Sequence, residues 1–150
     1  MPLMLTPGNQ APELVLGDQN GAPFRLSDLR DHKNVVLFFY PKADTTVCTM
    51  QACSFRDHYE EFVASGTAVV GISTDDQDAQ FRFAKKWKLP FTLLCDTDEV
   101  GMRAFGVPKW MGIIKNRITF VIDRSGVVRA VIEGRFRSEG HVREALEALR

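Results

Sequence analysis

The stretch "NVVLFFY", Asn34 to Tyr40, constrains the fold more than any other part of the chain. Six consecutive apolar or aromatic residues leave no polar face, so a strand built from them must be covered on both sides. Pro41 closes the run, because proline cannot donate to a strand ladder. A second run of the same kind, "TAVVGIST", begins at Thr67. Between the two, the pattern predicts a helix from about Thr46 to Ala64, with Ala52, Phe55, Tyr59, Phe62 and Val63 as its inward stripe. Gly66 ends it. Two doubly covered strands joined by a helix make a parallel pair, the unit of an α/β sheet.

The flanking segments extend that sheet. "PELVLGDQNGAPFRLSDLR" reads as two short strands about Asn20-Gly21, a dipeptide that supplies left-handed hairpin backbone, followed by a short turn opened at Ser27 or Asp28. "DDQDAQFRFAKKWK" predicts a helix with acidic residues at its start and lysines at its end, as the helix dipole prefers. "FTLLCD" predicts a third short strand and "DEVGMRAFGV" a third helix. "RITFVID" and "VVRAVIEG" predict a strand pair turning at Asp123 to Gly126, and Ser138 caps a last helix, "EGHVREALEALR". This order predicts a mixed central sheet flanked by helices. It is the order of a thioredoxin-like fold with an N-terminal β-hairpin extension and one inserted strand-helix segment, in a single α/β domain over 1–150.

Charge and cysteine content narrow the function classes. Lys plus Arg equals Asp plus Glu at 19 each, so nothing advertises nucleic acid or an anionic membrane as a partner. The start, "MPLMLTPGNQAPEL", has neither a basic opening nor a long apolar stretch, and is expected to be neither a signal peptide nor an anchor. Three cysteines argue against a disulfide framework and for a cytoplasmic protein.

Two of those cysteines lie in "FFYPKADTTVCTMQACSFRD". Cys48 falls in the first turn of the predicted helix, just past the carboxyl end of a buried parallel strand, where α/β folds place their crevices. Unpaired N–H groups and the positive dipole end at such a position favour a thiolate. Thr45 brings a hydroxyl that is both donor and acceptor, and Pro41 fixes the strand exit and shields one side of the sulfur. These are the requirements of an activated cysteine nucleophile. A free cysteine by itself is more often a small buried hydrophobe; this context reverses that expectation.

The same residues carry a family resemblance. "YPKADTTVCTMQACSFRD" resembles the active-site segment of peroxiredoxins, Pro-x-x-x-(Thr/Ser)-x-x-Cys, with Pro41, Thr45 and Cys48 matching position for position. A cysteine five positions on, as at Cys53, is similar to the bacterioferritin comigratory protein, or peroxiredoxin Q, subfamily. "KNRITFVIDRSG" resembles the family's arginine-bearing strand, which gives that role to Arg117. "GNQAPELVL", "FRLSDLR" and "LPFTLLCD" extend the likeness over nearly the whole chain. The subfamily usually reads Thr-Pro-Gly-Cys and then Thr-x-Glu-Ala; here Thr46, Val47 and Gln51 stand instead.

The resemblance implies a peroxiredoxin-type fold and a thiol-dependent peroxidase. Cys48 would be the peroxidatic cysteine, Cys53 the resolving one, and a thioredoxin-like dithiol the reductant. The substrate would be a hydroperoxide, with no metal or organic cofactor. On one regular helix, residues five apart have Cα atoms about 8.6 Å apart and side chains about 140° apart. A disulfide needs roughly 4.4–6.8 Å. The implied bond therefore requires the helix start to unwind, and Thr45, Thr46, Val47 and Thr49 are β-branched, poor helix formers. Cys95 reads as a strand-end packing residue, Arg56 as a surface or structural ion pair, and Lys42 as a solvated lysine beside the site. His32, His58 and His141 lack a metal-ligand spacing. "VPKWMGIIK" reads equally as an apolar docking loop or as core, with Trp87, Trp110 and Met111 as apolar bulk. The chain lacks the C-terminal tail that carries a resolving cysteine in the dimeric class, so a monomer is expected. The rivals are a thioredoxin-like disulfide oxidoreductase, which would need C-x-x-C, and a redox-responsive chaperone or interaction module on the same fold.

Overall fold

The computed structural model describes residues 4–43, 45–110, 113–114, 117–134 and 138–149. Its centre is a five-stranded sheet in the order β5-β4-β3-β8-β9. The strands are β3 (Asn34–Phe39), β4 (Thr67–Ser73), β5 (Thr92–Cys95), β8 (Arg117–Ile122) and β9 (Val128–Gly134). β3, β4 and β5 run parallel, while β8 is antiparallel to both β3 and β9. Ahead of them β1 (Val15–Gly17) and β2 (Pro23–Arg25) pair as the expected hairpin. Its loop is longer than a two-residue turn. The Asp18 carboxylate organises it by accepting from the N–H groups of Asn20 and Ala22 at 2.8 and 2.9 Å. Gly21 supplies the φ of +82° the loop needs.

The apolar run of β3 is buried on both faces, as its pattern required. Val36, Phe38 and Tyr40 enter one core with Ala52, Phe55, Phe62, Phe83 and Val142. Val35, Leu37 and Phe39 enter the other with Leu14, Leu26, Met102 and Phe105. The helices α1 (Thr46–Asp57), α2 (Tyr59–Ala64), α3 (Gln77–Trp87) and α5 (Ser138–Ala148) supply the first core, and α4 (Val100–Phe105) with the N-terminal segment supplies the second. The side chain of Ser138 lies outside the described residues, so its expected capping bond does too. β6 (Lys109–Trp110) and β7 (Ile113–Ile114) form a two-stranded ribbon; Met111 and the side chains of this segment lie outside the described residues.

The helix expected to run unbroken from Thr46 to Ala64 is two helices. At His58 the backbone leaves helical geometry, with φ −106° and ψ 11°. Both its N–H and its ring Nδ1 engage the Ser54 carbonyl, the latter at 2.9 Å. A side chain bonding backward onto the ladder in this way competes with helix continuation. The break re-phases α2 relative to α1: Phe62 stays buried, but Val63, counted into the inward stripe, is 52% exposed. α1 itself is anchored near its end, where Phe55 stacks on Phe38 with ring centroids 4.5 Å apart.

Candidate active site

β3 delivers the chain to the carboxyl edge of the sheet, where the Tyr40 N–H still bonds the Ile72 carbonyl at 3.0 Å. Pro41 stands at the bend immediately after it. Thr45 is the N-cap residue of α1 in extended geometry, and its carbonyl accepts the Thr49 N–H at 2.8 Å. Its exposed hydroxyl donates to the Lys42 carbonyl at 2.9 Å, closing the loop, and makes no capping bond to the helix. The hydroxyl expected to serve the crevice beside Cys48 is thus committed, as a donor, to the backbone of its own loop. Cys48 sits three residues into α1 and is only 1% exposed. Helix geometry leaves the N–H groups of residues 46, 47 and 48 without intrahelical acceptors, at the positive end of the α1 dipole.

Arg117 comes from the opposite wall. Along β8, Ile118, Phe120 and Ile122 enter one core and Val121 the other. Alternation therefore turns Arg117 and Thr119 toward α1 and α5. Buried at the first position of β8, Arg117 donates from Nη1 to Cys48 Sγ at 2.9 Å. A full positive charge and a directed N–H on the sulfur stabilise negative charge there. Two residues along the strand, the Thr119 hydroxyl meets His141 Nδ1 of α5 at 2.7 Å, and both residues are buried.

A third anchor was not anticipated from the sequence. Asp75, at the exit of β4, accepts the Ala43 N–H at 2.7 Å and the Ser73 hydroxyl at 2.6 Å. It ties the loop that precedes Cys48 to the neighbouring parallel strand. In the sequence Asp75 merged with the acidic start of α3, but only Asp76 caps that helix, accepting from Ala79 at 2.9 Å. The available signal was position: an acid directly after a buried parallel strand lies at the crevice edge. Behind it, the Tyr40 hydroxyl donates to Gln80 at 2.5 Å, and burial pushes that phenol well above its ordinary range.

The other two cysteines differ from Cys48. Cys53 is half-buried on α1, one and a half turns on, and burial pushes its thiol up. Cys95 ends β5, its Sγ 3.7 Å from the Asp18 carbonyl; burial, with Asp18, Asp76 and Asp75 adding to it, pushes its thiol to about 11. All three are free thiols. Arg56 has the structural place expected: it pairs with Asp57 at 3.1 Å and donates to the Trp87 carbonyl at the end of α3 at 2.7 Å. Lys42 is exposed and lines a cavity of about 530 Å³ with Arg82, Lys85 and Lys86. A cavity of about 600 Å³ opens instead at the amino ends of β4 and β5, near Lys33, Gly66 and Pro90. That is the end of the sheet away from Cys48.

Comparison with known proteins agrees with this geometry. Residues 7–131 match the AhpC/TSA family. The chain is 44% identical over 146 residues to a chloroplastic peroxiredoxin Q of Sedum lineare, covering 97% of this chain and 78% of that one. The crystal structure of peroxidoxin BcpB from Mycobacterium tuberculosis superposes with a TM-score of 0.91, at 40% identity and 97% coverage of each chain. That of a Xanthomonas campestris bacterioferritin comigratory protein, described for its alkyl peroxide reduction activity, gives 0.83 at 29% identity, covering 91% of this chain and 89% of that one. With its strand-loop-helix cysteine faced by a buried arginine, the chain belongs to the AhpC/TSA family, in its peroxiredoxin Q or bacterioferritin comigratory protein branch.

Proposed function

We propose that this thiol peroxidase reduces hydroperoxides, alkyl hydroperoxides included, at Cys48, closes a Cys48–Cys53 disulfide, and is recycled by a thioredoxin-like dithiol. The contact that carries the reading is the 2.9 Å bond from Arg117 to Cys48 Sγ. The sulfur attacks the terminal peroxide oxygen. The O–O bond breaks, the other oxygen leaves and takes up a proton as water or alcohol, and Cys48 becomes a sulfenic acid. Arg117 and the free N–H groups of α1 stabilise charge as it moves from sulfur to the leaving oxygen. Cys53 then attacks the sulfenic sulfur, water leaves, and a disulfide remains. An external dithiol returns both cysteines to thiols by exchange.

Closure of the disulfide requires the start of α1 to unwind, and α1 suits that demand. It has no side-chain cap and no acid in its first turn, whereas α3 has a bonded Asp76 cap and Asp78. Its anchor, Phe55 on Phe38, lies beyond both cysteines, so the first two turns can open while the rest stays docked. A reducing compartment, the cytoplasm, suits a cycle through free thiols, and a monomer suffices because both cysteines belong to one helix. The test is hydroperoxide consumption with thioredoxin and its reductase. Cys48→Ser should show none, and Cys53→Ser should consume about one equivalent and stop. Sustained turnover by Cys53→Ser would overturn the resolving role.

A further inference from the structure

Gln51 lies one turn after Cys48 on α1 and is fully buried. Among the described residues, neither its amide nitrogen nor its amide oxygen has a hydrogen-bond partner. On β8 and α5, by contrast, Arg117 donates to Cys48 Sγ, and the Thr119 hydroxyl meets His141 Nδ1. Apolar neighbours Cys48, Ala52 and Phe55 share its helix and are themselves buried. A side chain with three hydrogen-bonding groups or more, shut away with none used, disfavours the state that buries it. Unwinding the first turns of α1 returns the amide to water and relieves that cost.

We infer that Gln51 is a positioning residue for the resolution step: its unsatisfied amide biases α1 toward the unwound form in which Cys53 reaches the Cys48 sulfenic acid. This rests on the peroxidase reading of Cys48. The same device sets sensitivity to overoxidation. A Cys48 sulfenate held in the folded helix can attack a second hydroperoxide, cleaving its O–O bond to give a sulfinic acid and releasing water or alcohol. Faster unwinding diverts sulfenic acid to disulfide before that second encounter. A cost of the size known for orphaned buried polar groups corresponds to between about fivefold and a hundred-and-fiftyfold in a local opening equilibrium.

The experiment mixes reduced protein with hydrogen peroxide, quenches at intervals, and follows Cys48 sulfenic acid, disulfide and sulfinic acid by mass spectrometry. Wild type, Gln51→Met and Gln51→Asn are compared, and the readout is the rate of disulfide closure divided by the rate of sulfenic acid formation in the same sample. Met keeps the length without the amide; Asn keeps the amide. Gln51→Met should lower that ratio about tenfold and raise the sulfinic fraction, with hydrogen exchange of residues 49–52 slowed. Gln51→Asn should stay near wild type. A wild-type ratio in Gln51→Met, or an equal fall in both variants, would overturn the inference. Absence of sulfenic acid at Cys48 and of the Cys48–Cys53 disulfide alike in wild type would instead overturn the peroxidase reading beneath it.

Discussion

Replacing Arg117 with methionine removes the guanidinium that donates to Cys48 Sγ at 2.9 Å and leaves an unbranched apolar chain at the buried start of β8. A hydrogen bond to a charged group is worth about 1.5–3 kcal/mol. The guanidinium faces sulfur as it attacks and oxygen as it leaves, so most of that stabilisation is lost from the transition state. At about 1.36 kcal/mol per tenfold, the rate of Cys48 oxidation should fall roughly ten- to a hundred-and-fiftyfold. Arg117→Lys keeps the charge but loses the planar fork, and should fall in between. The assay is single-turnover oxidation of reduced protein by excess hydrogen peroxide, quenched and read as Cys48 sulfenic acid plus disulfide. Circular dichroism on the same samples confirms the fold. A Met variant within twofold of wild type would mean that the start of α1 activates the sulfur unaided. Equal losses in the Met and Lys variants would assign the role to shape and not to charge.

The geometry sets three further outcomes. Asp75→Ala removes the acceptor of the Ala43 N–H and frees the loop before Cys48; single-turnover oxidation should slow severalfold, and Asp75→Asn, which keeps an acceptor oxygen, should recover part of it. Cys95 has a thiol raised from 9.0 to about 11, so at pH 8 its thiolate population should be about a hundredfold below that of the unfolded chain. Iodoacetamide labelling, resolved by peptide mapping, should show native Cys95 slow and rising through pH 9–11, with denatured Cys95 fast; equal rates would contradict its burial. Hydrogen exchange over residues 49–53 should be protected in the reduced protein and fast in the Cys48–Cys53 disulfide form, whereas equal protection in both would refute unwinding.

The fold was legible because its decisive signal is redundant. A strand covered on both faces cannot alternate, and both cores beside β3 bear out what "NVVLFFY" demanded. What the sequence hid depends on competition between local bonds. The break at His58 turns on one imidazole preferring the Ser54 carbonyl, which no hydrophobic period records. The exposure of Val63 is a consequence of that break. Within the site, Cys48 and Pro41 are placed by a strand end and a helix start, both readable from adjacent residues. The Arg117 contact spans 69 positions and came only through family likeness. Asp75 was hidden by its neighbours, since three acids in "DDQD" look alike until one of them turns back to Ala43. Gln51 was seen as a departure from the subfamily pattern, but the isolation of its amide is a property of packing alone.

Peroxide chemistry at Cys48 is tested most directly by trapping its first product. Reduced Cys53→Ser protein, given one equivalent of hydrogen peroxide in the presence of dimedone, should carry one adduct, on Cys48, formed far faster than with a free thiol under the same conditions. The Cys48→Ser protein should carry none. A dimedone adduct on Cys95 in place of Cys48, or oxidation no faster than that of a free thiol, would contradict the assignment.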